Sequence, residues 1–381
     1  LFFYLQSSGI IKISNNLTEN SCNFTIILKR MPKVAILEVH PILDDAKIST
    51  KEGCYFPESH YRKVITSNTD VYGILEDGTR QLLLKFRKGI IPQSICQAAY
   101  HALEAHAKHK NYNRGAAAGK LNSNKLPKYV GKITKRESFR VFYKTHAGRK
   151  TKDNIGNMAM SNIAGYYDKP DRNAYSQSSQ ARTMHSRTMH SRTMHSRTTH
   201  SRTKHSRTKN NKTRKPGHDI HGNPLCRTTQ FTKEEVAKWA NTVPLIQQAD
   251  KWFQRLIPDR HAVQLARARK TPHYQIADTA YSTITLNYDW RTACHKDKGD
   301  LEEGFGNLLV LEKAKSGFPD CPGFTGGLLG FPRWGIAVDV RQGDFLAMDV
   351  HEWHCNTEVH GSGRLSIVAY LRKGMIKCSS R

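Results

Sequence analysis

Acidic residues are scarce in this chain: 32 Asp and Glu face 60 Lys and Arg, leaving a formal net charge of +28 over 381 residues and a pI near 9.8. A chain so short of acid is suited to polyanions, and nucleic acid is the expected partner. Close-set cysteines are missing too. The eight cysteines lie far apart with no Cys-x-x-Cys pair, which excludes a zinc ribbon and a dense disulfide framework and fits a reducing compartment. No apolar run approaches the ~18 residues that span a bilayer. The opening LFFYLQSSGIIKIS also lacks the charged-then-apolar layout of a secretion signal. A soluble chain with no membrane contact is expected.

The first residue is Leu, whereas Met31-Pro-Lys-Val-Ala-Ile-Leu reads as a natural beginning, so residues 1–30 are expected to be a spurious or incomplete extension. Asn16-Leu-Thr and Asn23-Phe-Thr fit the glycosylation pattern but are chance matches in an intracellular chain. Residues 182–215 hold eleven basic residues and no acidic one. Removing those eleven from +28 leaves +17 on the remainder, so the folded part is basic as well.

From Val71 to Ile91, apolar runs flank Glu76-Asp-Gly-Thr79, which predicts a hairpin turned by Asp-Gly. Ile95, Ala98, Ala99, Ala102 and Leu103 then recur at helical spacing, with His106 next on the same face. Arg114-Gly-Ala-Ala-Ala-Gly119 is a flexible joint or a close-approach loop. Residues 120–225 are poor in apolar periodicity and contain a five-residue repeat, RTMHS and its variants, from Arg182 to Ser206. Five residues are too few for a stacked solenoid unit, so disorder is expected there, as a passive expanded repeat with incidental charge binding, and electrostatic tethering or nuclear import is the functional alternative. Loose metal chelation by its regularly spaced histidines is a weaker reading.

Order is expected to return at Cys226. Thr232 and Glu235 form a capping box with a Phe231–Val236 staple, which starts a helix that Pro244 should interrupt. Leu245, Ala249, Trp252, Phe253 and Leu256 continue its apolar stripe. The last hundred residues change character. YSTITLNY, GNLLVLEKA, GIAVDV, GDFLAMDV and GRLSIVAYLR are short, rich in β-formers and separated by Gly, Pro and Asp, as in an antiparallel sandwich or jelly roll.

These strands carry His295-Lys-Asp297, then His351 and His354, then Arg364-Leu-Ser366. Two imidazoles and one carboxylate on one face of an octahedron leave open positions for an oxo-acid co-substrate and oxygen at a non-haem Fe(II). In an extended segment the His-x-Asp spacing sends both side chains to one face. Alternation from Phe345 puts His351 with Ala347 and Asp349, and His354 with Met348 and Val350, so periodicity leaves both as candidates for the third ligand. A buried Arg364 needs a carboxylate partner, which a dicarboxylate co-substrate supplies through a forked contact with Ser366 assisting. Its ordinary alternative is a surface Arg paired to an internal acid.

YSTITLNYDWRTACHKDKGD, GDFLAMDVHEWHCNTEV and GRLSIVAYLR resemble the oxygenase domain of the TET/JBP family, Fe(II)- and 2-oxoglutarate-dependent dioxygenases that hydroxylate the methyl group of 5-methylcytosine or thymine. The resemblance is closest to compact virus- and transposon-type members. It extends more weakly to NRGAAAG (113–119), SNIAGYYD (161–168) and CRTTQFT (226–232). It implies an α+β chain: a double-stranded β-helix (jelly roll) with packed N-terminal helices and a disordered basic insertion. The expected division is 1–30 as the extension, 31–168 as the N-terminal part of the oxygenase domain, 169–225 as the insertion, and 226–381 as helices plus catalytic core. By resemblance His295, Asp297 and His354 are the iron ligands, the Trp-His-x-Asn setting deciding for His354. Arg364 anchors 2-oxoglutarate, with Ser366 and Asn287 beside it. Fe(II), 2-oxoglutarate and O2 are the implied cofactor, co-substrate and oxidant, and DNA the partner.

Cys355 stands where the family pattern has Gly, placing an oxidisable thiol beside the iron or altering the loop, and no cysteine-rich zinc region is present, so zinc is not expected. A flipped target base is expected, with Arg87, Lys88 and Arg114 as phosphate contacts and Asp300 as an acceptor for a base amine or a simple turn residue. The chain is expected to act as a monomer in the nucleus, or wherever its target DNA lies. The rival readings are an oxygenase for RNA, alkylated bases or a protein side chain, and a catalytically inactive oxygenase fold that binds DNA.

Overall fold

The computed structural model describes residues 10–11, 26–27, 33–170, 217–219, 223–313 and 323–378. The RTMHS repeat lies outside them, as do nearly all of the expected extension and most of the expected insertion. The described chain is a mixed α+β structure. Its strands are β1 (Ala35–Val39), β2 (Lys63–Ile65), β3 (Thr69–Ile74), β4 (Arg80–Arg87), β5 (Val130–Glu137), β6 (Arg140–Thr145), β7 (Lys150–Ile155), β8 (Ser161–Pro170), β9 (Cys226–Thr228), β10 (Thr283–Tyr288), β11 (Gly306–Glu312), β12 (Leu329–Phe331), β13 (Ile336–Val338), β14 (Phe345–Met348), β15 (Cys355–Asn356) and β16 (Arg364–Tyr370). Its helices are α1 (Asp45–Ser49), α2 (Gln93–Ala107), α3 (Gln230–Glu234), α4 (Val236–Leu256) and α5 (Pro258–Ala268).

The main sheet has nine strands in the order β9-β8-β10-β16-β11-β14-β4-β3-β1, antiparallel except for β1 beside β3. A second sheet runs β15-β12-β13-β2, and a separate meander runs β5-β6-β7. Strand alternation decides which side chains meet. On β16, Leu365, Ile367 and Ala369 point into one core with Ile284 and Leu286 of β10 and with Tyr100, Leu245 and Phe253 of the helices. Arg364, Ser366, Val368 and Tyr370 occupy the opposite face. Leu346 and Met348 of β14 and Leu308 of β11 join a second core with Phe331, Ile336 and Val338 of the second sheet. Each fully buried Leu, Ile or Phe contributes about 1.5–3 kcal/mol.

The Asp-Gly hairpin forms as expected from β3 and β4. The buried stripe of α2 shares Ala99, Ala102 and Leu103 with the expected one but not Ala98. Cys96, Ala99, Tyr100, Leu103 and Ala107 face inward while Ala98 is exposed, because Tyr100 offers more surface to bury. Pro244 does not interrupt its helix. It sits inside the 21-residue α4, where the usual cost of about 3 kcal/mol is offset by Leu245, Ala249 and Phe253, all fully buried.

The expected capping box is not built either. The chain kinks at Glu235 (φ −102°, ψ 53°) between α3 and α4, Val236 stays exposed, and the Thr232 hydroxyl accepts instead from the Gly165 amide at 2.7 Å. Gly165 takes φ 92° there, and a Cβ would sit 2.6 Å from the Ser282 carbonyl. Phe231, freed from the staple, stacks on His106 at 4.6 Å.

Ahead of Cys226 the described residues already include a bridge between His218 and Pro224. Cys226 and Cys378, 152 residues apart, form a disulfide that the wide cysteine spacing did not suggest. It ties the C-terminal segment to β9 at the edge of the main sheet. Closing so long a loop constrains the unfolded chain, so Cys226→Ser should cost about 2–5 kcal/mol, read as a lower urea midpoint. An unchanged midpoint would show that the bond carries no stability.

Candidate active site

Between the main and second sheets lies a cavity. Thr285 and Asn287 of β10 and Ser366, Val368 and Tyr370 of β16 line it from the main sheet. His295, Asp297, His354 and Asn356 line it from the other side. Residues 292–295 run beside β15 without regular strand pairing. The His295 amide donates to the His354 carbonyl at 3.0 Å and the His354 amide to the His295 carbonyl at 3.1 Å. That exchange holds the two rings 4.4 Å apart between centroids.

Each imidazole is oriented by its own backbone. His295 Nδ1 lies 2.7 Å from the Ala293 carbonyl and His354 Nδ1 lies 2.9 Å from the Glu352 carbonyl. A carbonyl only accepts, so Nδ1 carries the proton and each Nε2 keeps a lone pair for the cavity. The two carboxylate oxygens of Asp297 lie 3.6 Å from those two Nε2 atoms. One ligand atom from each residue falls within 4.8 Å of the others, the spacing a single metal ion requires. Asp297 is 35% exposed against 11% and 5% for the imidazoles, so the carboxylate faces the opening.

Charge in this group is tightly balanced. Burial, then repulsion from His354, pushes the His295 pKa down to about 4. Burial opposes charge on His354 too, but Asp297 outweighs it and raises that group. Burial likewise disfavours the Asp297 anion, yet the two imidazoles hold it well below the usual carboxylate range.

Arg364 stands on the same face of β16 as Ser366 and is 1% exposed. Its Nε and Nη1 have no hydrogen-bond partner. Burial, then the neighbouring Arg341, lowers its pKa to about 10, which still leaves it charged at neutral pH. The guanidinium passes over Gly327, where a Cβ would lie 2.8 Å from Nε and where φ is +64°. The sequence reading missed Gly327, since nothing in GFTGGLLG marks which glycine makes room. Asn287 donates to Ser366 Oγ at 3.4 Å and accepts from Ser161 at 2.6 Å, so these two polar groups are set across the β10–β16 pairing. Asn356, accepting from Thr292 at 2.6 Å, is a further cavity residue. The His-x-Asn alternation with His354 was its signal.

Several expected contacts lie elsewhere. His351 is 3.4 Å from Asp349 in the turn after β14 and belongs to no three-residue metal-binding cluster among the described residues. Arg87 is buried and paired with Asp70 at 2.7 Å, so it is not a phosphate contact. Lys88 reaches Asp344 at 3.6 Å. Arg114 does line the cavity. Its loop is of the close-approach kind, Ala117 accepting from the Ala293 amide at 2.9 Å. Cys355 points away from the cavity and meets Tyr61 Oη at 3.1 Å, so its thiol is in the core rather than beside the metal position. Asp300 is more than a turn residue. It lines the cavity with Oδ2 unpartnered, and burial, then Asp297, raises its carboxyl well above the usual range.

The donor set of His295, Asp297 and His354, with the buried Arg364, fits an oxygenase domain of the iron- and 2-oxoglutarate-dependent class. Residues 216–373 match the oxygenase domain of the 2OGFeDO superfamily, Tet_JBP. Residues 216–373 are thus similar to the oxygenase domain of the TET/JBP family. It is 35% identical over 166 residues to the bifunctional helicase and thymine dioxygenase JBP2 of Leishmania infantum, covering 42% of this chain and 14% of that protein. It is 31% identical over 166 residues to the thymine dioxygenase JBP1 of Trypanosoma brucei brucei, covering 41% of this chain and 18% of that protein. The chain thus spans less than a fifth of either relative. A solved structure, NgTET1 in complex with 5mC DNA, aligns with a TM-score of 0.41 and 10% identity over 88% of this chain and 94% of that one.

Proposed function

We propose that this protein is an Fe(II)- and 2-oxoglutarate-dependent dioxygenase that hydroxylates the C5 methyl group of a pyrimidine in DNA, thymine or 5-methylcytosine. The observation that carries it is the convergence of two lone-pair-bearing imidazoles and one carboxylate, with a buried, unpartnered Arg364 at the end of the adjoining strand face. The relatives named as thymine dioxygenases support the choice of base chemistry. We read the two facing sheets as a double-stranded β-helix. In it β10, β16, β11 and β14 form one wall, and residues 292–295 with β15, β12 and β13 form the other.

In this reading His295, Asp297 and His354 hold Fe(II). Arg364 takes the far carboxylate of 2-oxoglutarate by charge-assisted contacts, with Ser366 and Asn287 beside it. When bound, Fe(II) with 2-oxoglutarate supplies the oxidising chemistry, one oxygen atom of O2 reaching the methyl carbon and the other leaving in succinate, with CO2 released. The protein holds the imidazole tautomers fixed, narrows the cavity with Leu308, Met348 and Val368, and leaves Asp297 towards the opening where a base must enter. A methyl group inside a duplex cannot reach this cavity, so the nucleotide is flipped out. The protein acts as a monomer, in the nucleus or wherever its DNA resides. No helix among the described residues is long and apolar enough to cross a membrane.

The test is incubation with Fe(II), 2-oxoglutarate and DNA carrying 5-methylcytosine or only thymine as the methylated base, followed by mass spectrometry of the nucleosides. A hydroxymethyl product from one of them, absent without 2-oxoglutarate, is expected. No oxidised base from either DNA refutes the proposal, and product from RNA or a peptide instead would move the substrate. Gly327→Ala offers a second check. A side chain at φ +64° beside Arg364 costs on the order of 1–3 kcal/mol and displaces the guanidinium. The KM for 2-oxoglutarate should therefore rise about tenfold, equivalent to about 1.4 kcal/mol, with a smaller change in kcat.

A further inference from the structure

The meander β5–β7 is not part of the two-sheet body that forms the cavity, and it carries a charge pattern that the oxygenase site does not use. Between residues 125 and 149 stand eight Lys and Arg and one acid, Glu137. Glu137 is taken up by Lys135 at 2.9 Å and by Arg140. Lys128, Lys132, Arg136 and Arg149 are exposed. None of these four has a carboxylate within ion-pair distance among the described residues.

The underside of the meander is apolar and fixed. Val141, Tyr143 and Ile155 pack with Tyr112, Leu121 and Leu126. Leu121 donates to the Ser138 carbonyl at 3.0 Å and Gly156 to the Tyr112 carbonyl at 2.7 Å. Asn157 Nδ2 spans the Ala118 and Lys120 carbonyls at 2.9 and 2.8 Å. The seat of the meander is therefore the 112–126 loop, which places Arg114 on the cavity wall and pairs with Ala293, two residues before His295. The basic meander is thus seated on the same loop that lines the cavity through Arg114.

We propose that this meander is a duplex-binding arm, in which Lys128, Lys132, Arg136 and Arg149 contact phosphates flanking the nucleotide that enters the cavity. The inference rests on the DNA reading above and assigns the surface that grips the duplex. Eight residues of β5 extend about 26 Å at ~3.3 Å per residue, most of one ~34 Å helical turn of DNA. Lys132 and Arg136 on β5, with Lys128 just before it and Arg149 in the β6–β7 turn, would displace condensed counterions from a phosphate backbone, which no apolar partner surface would reward. A second copy of this chain would bring like charge to the same face.

The test uses the full chain with Lys128→Gln, Lys132→Gln, Arg136→Gln and Arg149→Gln combined, all at exposed positions, and fluorescence anisotropy with an unmodified duplex of about three helical turns across a salt series. The expected result is binding weaker by on the order of 10–100-fold near 0.15 M salt, with a log–log salt slope shallower by about 2–4. His354→Ala should bind the duplex as the wild type does, and oxidation of a short single strand should be unchanged in the combined variant. Single variants Lys132→Gln and Arg149→Gln should each show part of the shift, which guards against a folding defect in the combination. Duplex binding within twofold of wild type and an unchanged slope would overturn the arm. So would tighter binding of an RNA duplex than of DNA, lost in the same variant. Absence of any oxidised base with wild-type binding intact would count against the proposed reaction alone.

Discussion

Replacing His354 with alanine is expected to lower the proposed base oxidation by on the order of 1,000-fold, about 4 kcal/mol of transition-state stabilisation. Outer partners of metal ligands typically cost 10–100-fold when lost, and this residue is itself a proposed ligand. It is placed by reciprocal backbone bonds with His295 and oriented by the Glu352 carbonyl at 2.9 Å. The backbone exchange does not depend on the imidazole, so the variant keeps its fold. Its removal also relieves the repulsion that depresses His295. The expected set of results is therefore near-zero turnover, lost Fe(II) binding by calorimetry and a metal-free Tm within a few degrees of wild type. Turnover within tenfold of wild type would remove His354 from the site.

Arg364→Met is expected to separate stability from function in the opposite sense. The guanidinium is 1% exposed and two of its nitrogens lack partners. Its pKa falls to about 10, below the ordinary arginine value, so the folded protein binds this proton more weakly than the unfolded chain. The sign is then fixed. The fold bears that penalty at every pH below about 10 and sheds it only above. A methionine of similar length removes it, so the metal-free variant should be as stable as wild type or more so. Replacing buried charge with apolar groups has given gains of about 1–4 kcal/mol elsewhere. A dicarboxylate ligand reverses the balance, since losing one member of a buried charged pair costs about 2–5 kcal/mol of binding. Added 2-oxoglutarate should raise the Tm of wild type and leave that of Arg364→Met unmoved. A variant that is both destabilised and still responsive to 2-oxoglutarate would contradict this role.

The parts of the site that depend on local spacing were legible in the sequence. His295 and Asp297 share a face because they are two residues apart in extended chain, and Arg364 and Ser366 share one for the same reason. His351 against His354 was not resolvable by alternation, because β14 ends at Met348 and the chain turns through Asp349 before it re-enters the second sheet. Alternation counted through a turn carries no phase. The hairpin at Asp77-Gly78 was readable because that dipeptide sets its own backbone, whereas Pro244 misled because tertiary burial of α4 overrode a local penalty. The meander was hidden for a related reason: its strands intersperse Lys and Arg with few apolar residues, enough to cover one small loop but too few to register as a periodic core. Arg87 and Cys355 were misplaced because exposure is a property of neighbours, here Asp70 and Tyr61, that are distant in sequence or on another strand.

Isotopic labelling tests the proposed reaction most directly. DNA is treated with wild-type protein, Fe(II) and 2-oxoglutarate under heavy-isotope O2, then digested and analysed by mass spectrometry. Base-methyl hydroxylation at His295, Asp297 and His354 requires a hydroxymethyl base bearing one heavy oxygen, succinate formed in step with it, and neither product from His354→Ala. Hydroxymethyl base carrying oxygen from water, or the same yield from His354→Ala, would contradict it.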